Sequence, residues 1–110
     1  MARSHPWRRH VGRLAWPTLL LAGAVVVGEA ALWWAVIAGG LSLWWAFLLA
    51  TLLAYVAFTP LHDASHGAIG GSRKRAWVDE AVGHVMGLPL LAPFPLLRSI
   101  HLRHHGATND

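Results

Sequence analysis

The fold is decided by residues 17–59, which read PTLLLAGAVVVGEAALWWAVIAGGLSLWWAFLLATLLAYVAFT. Residues 17–38 are apolar except for Thr18 and Glu29, and residues 41–59 carry no acidic or basic side chain. At 1.5 Å per residue, a helix of about 20 residues is roughly 30 Å long, which is the thickness of the hydrocarbon core of a bilayer. The sequence therefore predicts two transmembrane helices, at 17–38 and 41–59.

The composition of the chain also indicates a membrane protein. Hydrophobic residues make up 55% of the 110 residues and charged residues 13%, and the mean hydropathy is +0.45. These values lie outside the usual balance of soluble domains. The chain has no cysteine, which excludes disulfides and thiolate metal ligands.

A very short turn joins the two predicted spans. Only Gly39 and Gly40 separate them, so the helices reverse direction and form an antiparallel hairpin. Tryptophan pairs stand on both sides of the turn, at 33–34 and 44–45. Because indole rings prefer the headgroup layer, these pairs indicate the membrane face at which the hairpin turns.

Basic residues lie at the opposite ends of both spans. They are Arg3, Arg8, Arg9 and Arg13 before the first span and Arg73, Lys74 and Arg75 after the second. The positive-inside rule places both flanks in the cytoplasm, so we predict a multi-pass protein of the inner or plasma membrane with cytoplasmic termini. The net charge of +4 is concentrated beside apolar spans, so we expect anionic lipid headgroups rather than nucleic acid as its partner.

A cleavable signal peptide is an alternative interpretation of the first span. The chain begins with a basic leader and an apolar run, and small residues occur at 28–31. The apolar run continues to Ala38, however, which is longer than the hydrophobic region of a signal peptide. A retained membrane helix is therefore favoured.

Five histidines form two tight clusters, each just after an apolar stretch. The clusters are His62-Asp63-Ala64-Ser65-His66 and His101-Leu102-Arg103-His104-His105. Residues three and four apart share one face of a helix, so each cluster is able to aim its rings at one point. A single histidine pair is more often solvated or hydrogen-bonded than bound to metal. Two clusters with the same spacing favour a metal site with nitrogen and oxygen ligands.

The segment between the clusters is predicted to return the chain to the membrane surface. Pro60 is expected to end the second span, which leaves His62 at the cytoplasmic edge. Residues 81–97 are apolar, but prolines at 89, 93 and 95 and glycines at 83 and 87 prevent a continuous spanning helix. We expect this segment to lie along, or dip into, the interface, and residues 96–105 to form a helix.

The predicted fold is therefore an all-α membrane protein. An N-terminal transmembrane helical hairpin is followed by cytoplasmic interfacial helices that carry the two histidine clusters. No internal repeat and no linker between domains is visible.

The two clusters, with the hairpin before them and Thr108-Asn109-Asp110 after them, resemble the first two histidine boxes of the membrane fatty acid desaturase superfamily. That superfamily includes acyl-lipid and acyl-CoA desaturases as well as carotenoid hydroxylases and ketolases. The resemblance covers essentially everything after Pro17. It is specific for the superfamily and not for its substrate.

The resemblance implies a non-haem di-iron centre on the cytoplasmic side. Such a centre uses O₂ and two electrons, from a ferredoxin- or cytochrome-type donor, to attack a C–H bond of a lipid or another long apolar substrate. The iron ligands carried over are His62, His66, His101, His104 and His105, and imidazole suits iron. Asp63 lies off the shared face of its cluster, so we expect it to accept an N–H from a ligand ring or to cap the helix. A plain solvated carboxylate is the alternative.

The superfamily normally has a third histidine box and a second hairpin, which are not found within these 110 residues. Five ligands do not complete two irons. We therefore expect residues 1–110 to be the N-terminal part of a desaturase-like domain, inactive alone. A short relative that borrows ligands from another chain is the alternative.

Other polar residues receive simpler interpretations. His5 and His10 belong to the basic leader, and His84 is interpreted as a side chain at a headgroup boundary rather than a ligand. Glu29 is costly inside a span unless it is paired or faces a wet cavity. The run at 73–75 is interpreted as lipid contact, with docking of an acidic electron donor as the alternative.

Three functions fit the sequence. The first is O₂-dependent desaturation of fatty acyl chains, and the second is hydroxylation or ketolation of carotenoids such as β-carotene by the same chemistry. The third is a non-catalytic membrane protein that holds a metal ion on its histidines. We favour desaturation because acyl chains are the broader substrate class of the superfamily.

Overall fold

The computed structural model describes the backbone of residues 13–108 and the side chains of residues 13–104. The elements are α1 (Trp16–Ile37), α2 (Leu43–Ser65), a short 3₁₀ helix (Arg73–Arg75), α3 (Ala76–Gly87) and α4 (Phe94–Thr108). No β-strand occurs within residues 13–108, and the predicted all-α fold with an N-terminal hairpin of two long apolar helices is confirmed. Several residues named above lie outside the described part of the chain: Arg3, His5, Arg8, Arg9, His10, the side chains of His105 and Thr108, Asn109 and Asp110.

Helices α1 and α2 form the long hairpin. They contain 22 and 23 residues, and both are long and apolar enough to cross a membrane. Only 11% of the most apolar stretch of each helix is buried, so most of their large apolar side chains face away from the protein. A core helix of a soluble protein is mostly buried instead, and this exposure is what lipid-facing helices require.

The turn of the hairpin occupies residues 38–42 and is longer than the glycine pair alone. Gly40 has a φ of +69°, a conformation that residues with a side chain rarely adopt. Ser42 caps α2, because its Oγ accepts a hydrogen bond from the backbone N–H of Trp45 at 3.4 Å. The cap explains why α2 begins two residues later than the predicted span.

Helix α2 continues through Pro60 to Ser65, whereas the sequence predicted that Pro60 ends the second span. A proline inside a helix removes one backbone hydrogen bond and usually kinks or ends the helix. Pro60 is among the most completely buried residues, and this packing offsets the lost bond. As a result, His62 lies in the last turn of α2 and does not follow it.

The core lies at the end of the bundle opposite the glycine turn, where α2 contacts each of the other three helices. Its buried members are Ala22, Val25, Ala57, Leu61, Ala64, Ile69, Val78, Met86 and Phe94. The α1 and α2 members are mostly small, which lets the helix backbones approach closely. Phe94 fills the largest space, and its ring lies directly against Gly83, where an added Cβ would meet the ring at 2.5 Å.

Helices α3 and α4 form a second, shorter hairpin. Residues 88–93 are not helical and form its turn, as the prolines and glycines of this segment predicted. Pro95 is the second residue of α4, where its missing N–H has no helical acceptor to lose. Helix α4 therefore begins two residues before the predicted helix and extends three residues beyond it, to Thr108.

Candidate metal centre

The first histidine cluster sits at the C-terminal end of α2. His62 is in the last turn and His66 is the C-cap residue, so the spacing of four residues places their rings on one face. The two ring centroids are 4.8 Å apart. The ring of His62 is half-buried, and that of His66 is exposed.

Helix α4 brings His101 from the second cluster onto these two rings. The Nε2 atoms of His66 and His101 lie 3.0 Å apart. The ring of His101 is also 4.5 Å from that of His62, centroid to centroid. One nitrogen from each of the three rings can be chosen so that all three atoms lie within 4.8 Å of one another. The two clusters, 35 residues apart in sequence, therefore converge on one point.

The spacing of two of these nitrogens, those of His66 and His101, fits two ligands of one metal ion. Imidazole nitrogens bind divalent metals at about 2.1 Å, so two ligands at right angles around the ion are about 3.0 Å apart. The separation of His66 and His101 has this value.

Of the two remaining predicted ligands, only His104 has a described side chain. His104 lies one turn after His101 and lines the same pocket as His62 and His101, but it is not part of the three-histidine group. The side chain of His105 is outside the described residues. His84 lies elsewhere, with its ring 5.6 Å from that of Phe94 and its Nε2 3.6 Å from a carboxylate oxygen of Glu80.

Asp63 connects the first cluster to α1. Its Oδ2 accepts a hydrogen bond from the hydroxyl of Thr18 at 3.1 Å, and its Oδ1 lies 3.9 Å from Nδ1 of His62. The second distance is too long for a hydrogen bond. In this structure Asp63 therefore cross-links α1 and α2 next to the cluster, a contact that the sequence did not predict.

A buried carboxylate holds the loop that follows the first cluster. Asp79 of α3 is 5% exposed, and it accepts hydrogen bonds from the backbone N–H groups of Ile69 at 2.9 Å and Gly70 at 3.0 Å. The same loop is tied to the start of α1, because Ala15 donates its N–H to the carbonyl of Ile69 at 2.9 Å. Arg75 adds a bond from its Nε to the carbonyl of Gly70 at 2.8 Å. This clamp fixes the direction in which the chain leaves His66.

Asp79 was missed by the sequence analysis. The sequence signal for this residue was its place as an acid in the first turn of a helix. It stands three residues before the apolar Val82, and a glycine pair at 70–71 precedes the helix. An acid in that position is usually interpreted as a favourable charge at a helix N-terminus. Only the fold shows that its partners are ten and nine residues earlier.

A second polar cluster anchors α4 to α3 one turn before His101. Arg98 donates a hydrogen bond to Glu80, and its guanidinium carbon is 4.7 Å from the centre of the Phe94 ring. Phe94 in turn rests on Gly83. These contacts fix the rotation of α4 about its axis and its position along α3. They therefore also fix the position of His101.

An apolar pocket of about 240 Å³ opens beside His62, His101 and His104. Helices α2 and α4 form its walls, and the apolar lining consists of Phe58, Leu61, Phe94, Leu97 and Ile100. Its walls offer few polar atoms besides the rings and Ser65. The pocket is therefore suited to a hydrocarbon segment held against the histidines.

Comparison with known proteins identifies a family that matches most of the chain. The family model described as fatty acid desaturase matches residues 41–110, more than half of the chain. The chain belongs to the fatty acid desaturase family. The matched region contains α2, both histidine clusters and the whole α3–α4 hairpin, so the resemblance seen in the histidine clusters is confirmed.

Curated desaturases are similar to most of this chain. It is 40% identical over 96 residues to an sn-1 oleoyl-lipid 12-desaturase of Picosynechococcus sp., and 36% identical over 98 residues to one of Anabaena variabilis. A third, from Synechocystis sp., is 32% identical over 96 residues. These matches cover 86–88% of this chain but only 26% of each relative. No solved structure matches the chain.

Membership of the desaturase family implies a di-iron cofactor in general terms. The donor set described here fits that cofactor, because all three converging ligand atoms are imidazole nitrogens.

Proposed function

We propose that this chain forms the N-terminal part of a membrane-bound, O₂-dependent desaturase that acts on the acyl chains of lipids. The observation that carries this proposal is the convergence of His62, His66 and His101, because two of these rings, those of His62 and His101, also line an apolar pocket. A metal-binding protein without catalysis would need the rings but not the pocket. The names of the relatives support an acyl lipid as the substrate class.

In this proposal the iron ligands from this chain are His62, His66, His101, His104 and His105. Bound iron supplies the ability to activate O₂ with two electrons from a ferredoxin- or cytochrome-type donor. Five histidines do not complete two irons, so further ligands come from outside residues 1–110, on a longer polypeptide or another chain. Asp63 holds α1 against α2 beside the first cluster through Thr18.

The residues of the pocket bind and orient the substrate. The aliphatic and aromatic walls from α2 and α4 take up a methylene segment and exclude water from it. Desaturation removes two hydrogen atoms from adjacent carbons and forms a double bond. These two hydrogen atoms, together with O₂, two electrons from the donor and two protons, give two molecules of water, so O₂ takes two electrons from the substrate C–H bonds and two from the donor.

The proposed site faces the cytoplasm. Arg13, Arg73, Lys74 and Arg75 all lie at the end of the bundle that carries the histidines, away from the glycine turn. Positive residues close to membrane spans favour the cytoplasmic side. Electrons from a soluble donor would then reach the site directly.

Metal analysis of the purified chain tests the metal-binding step. The chain is produced in iron-replete cells, purified in detergent and analysed for iron and zinc, together with His62→Ala and His101→Ala. We expect iron in the wild type and its loss from both variants. Bound zinc without iron, or metal content unchanged by both substitutions, would contradict the proposal.

Lipid analysis tests the reaction. The complete gene product is expressed in a host that makes oleoyl lipids but no lipids with a second double bond, and its fatty acids and pigments are analysed. We expect a new double bond in acyl chains, dependent on His101. New oxygenated carotenoids without new double bonds would instead support a carotenoid hydroxylase or ketolase.

A further inference from the structure

The segment between His84 and Arg98 is entirely apolar. Residues 85–97 read VMGLPLLAPFPLL and contain no polar side chain. They form the last turn of α3, the turn at 88–93 and the start of α4. Their polar neighbours, Glu80, His84 and Arg98, are grouped at one level across the two helices.

Helix α3 runs back along α2 towards the middle of the long hairpin. Its first turn is held at the end of α2, where Asp79 binds the loop at Ile69 and Gly70. Its last turn and the following residues share a cavity of about 460 Å³ with the middle of α1, around Val25 and Glu29, and with Ala50 of α2. Twelve residues of helix are about 18 Å long. The shared cavity therefore places the end of α3 beside the middle of α1 and α2.

Helix α4 brings the chain back to the level at which α3 began. Phe94 packs on Gly83, Arg98 contacts Glu80, and His101 reaches His66. The α3–α4 hairpin therefore begins and ends beside the same end of the long α1–α2 hairpin. Its turn at 88–93 lies level with the middle of α1.

The turn exposes large apolar side chains and very few backbone donors. Leu88 is 70% exposed and Leu91 is 93% exposed. The N–H of Leu91 donates to the carbonyl of Leu88 and that of Ala92 to the carbonyl of Gly87, both at 3.0 Å. The prolines at 89, 93 and 95 have no N–H to satisfy. Backbone polar groups in hydrocarbon must be satisfied within the protein, and these two hydrogen bonds pair part of the turn internally.

We propose that α3 and α4 form a re-entrant hairpin whose turn at 88–91 contacts lipid acyl chains in the bilayer interior. The proposal rests on α1 and α2 spanning the membrane, as in the proposed function. Lipid is the expected occupant because the exposed face of the turn is continuous with the exposed apolar faces of α1 and α2. The hairpin also places the apolar face of α4, which lines the pocket beside the histidines, within reach of the bilayer.

Spin labels at single cysteines test this depth, since the natural chain has no cysteine. Leu91→Cys is labelled in the purified chain in nanodiscs, and its collision rates with O₂ and with a water-soluble nickel chelate are measured. Leu52→Cys, on the exposed face of the middle of α2, is the lipid control. Ser72→Cys, in the exposed loop before α3, is the aqueous control.

We expect the label at Leu91 to behave like that at Leu52, with about tenfold less collision with nickel than the label at Ser72. Nickel accessibility equal to that of Ser72 would overturn the proposal, because the turn would then lie in water. Protection from both reagents would also overturn it, because protein rather than lipid would cover the turn.

Leu88→Cys repeats the measurement if Leu91→Cys does not fold. The same samples are analysed for iron. A lipid-accessible label without bound iron would leave the re-entrant hairpin supported and the proposed desaturase function contradicted, so the two failures are distinguishable.

Discussion

The two helical hairpins of this protein differ in hydrophobicity and are built in different ways: the α1–α2 hairpin is the more apolar, and α4 carries several charged and polar side chains. The α1–α2 hairpin consists of two long helices that pack against each other and leave most of their remaining surface exposed. The α3–α4 hairpin has short helices, a turn with three prolines nearby and several specific contacts: Asp79 with its loop, Phe94 on Gly83 and Arg98 with Glu80. The comparison indicates that the first hairpin is a support, and that the second is the part whose exact placement determines the metal site.

The largest effect is expected where the two hairpins share the metal. His101→Ala removes the contribution of α4 to the three-histidine group. Changes to groups around metal ligands typically cost about 10–100-fold in affinity, so loss of a ligand should weaken iron binding about a thousandfold. Anaerobic titration of the purified chain with Fe(II) measures this change. His84→Ala is the control and should bind iron as the wild type does; equal loss in both variants would contradict the assignment.

The next effect concerns the clamp between α3 and the loop after His66. Asp79→Ala leaves the buried N–H groups of Ile69 and Gly70 without their acceptor. Each such donor costs about 1–3 kcal/mol, so for the two donors we expect a loss of about 2–6 kcal/mol in stability. The free energy of unfolding and the hydrogen exchange of these two amides measure it.

Asp79→Asn provides the matched variant. It retains one acceptor oxygen and should lose less stability than Asp79→Ala. If Asp79→Ala unfolds like the wild type and both amides stay protected, the clamp has no role in holding the loop.

A smaller effect is expected from filling the space between α3 and α4. A Cβ at Gly83 would meet the buried ring of Phe94 at 2.5 Å. Gly83→Ala should therefore destabilise the protein by about 1–3 kcal/mol and weaken iron binding by displacing α4.

Gly23→Ala in α1 is the control for this substitution, because nothing lies within 4 Å of the added Cβ. Alanine there should be neutral or more stable by about 0.5–1 kcal/mol. Thermal unfolding of the two variants distinguishes a packing effect from a change in helix propensity. Equal midpoints would indicate that α3 and α4 are not packed as described.

The smallest effect is expected within the first hairpin. Thr18→Val removes the hydroxyl that donates to Asp63 and keeps the shape of the side chain. One hydrogen bond of this kind contributes about 0.5–1.5 kcal/mol, so stability should fall by about that amount. Thr51→Val in α2 is the comparison, since its hydroxyl bonds only to the carbonyl of Phe47 in its own helix. A larger loss for Thr51→Val than for Thr18→Val would show that the cross-link does not hold the helices together.

Much of the fold could be predicted from local patterns. Long apolar runs identified α1 and α2 within about two residues, except at the end of α2, and the prolines and glycines of 81–97 predicted that no continuous helix spans this segment. The histidine spacing also predicted which rings share a face. These features depend on neighbours within one or two turns of helix, so periodicity and composition are sufficient to find them.

The continuation of α2 through Pro60 and the depth of the turn at 88–93 could not be predicted in this way. Pro60 has the same local chemistry whether a helix ends or continues there, and burial in the core decides the outcome. The depth of the turn follows from the packing of α3 along α2, which local sequence does not encode. Both depend on contacts between distant segments.

The sequence by itself determined the fold class, the apolar spans and the histidine pairs, because each follows from the chemistry of residues a few positions apart. Only the tertiary structure decided that His101 meets His66 and His62, that Asp79 holds the loop at Ile69, and that Asp63 bonds to Thr18. These contacts join residues 10 to 45 positions apart. Their formation depends on how the second hairpin packs against the first, since a contact between distant residues exists only when the whole bundle holds both of them in place.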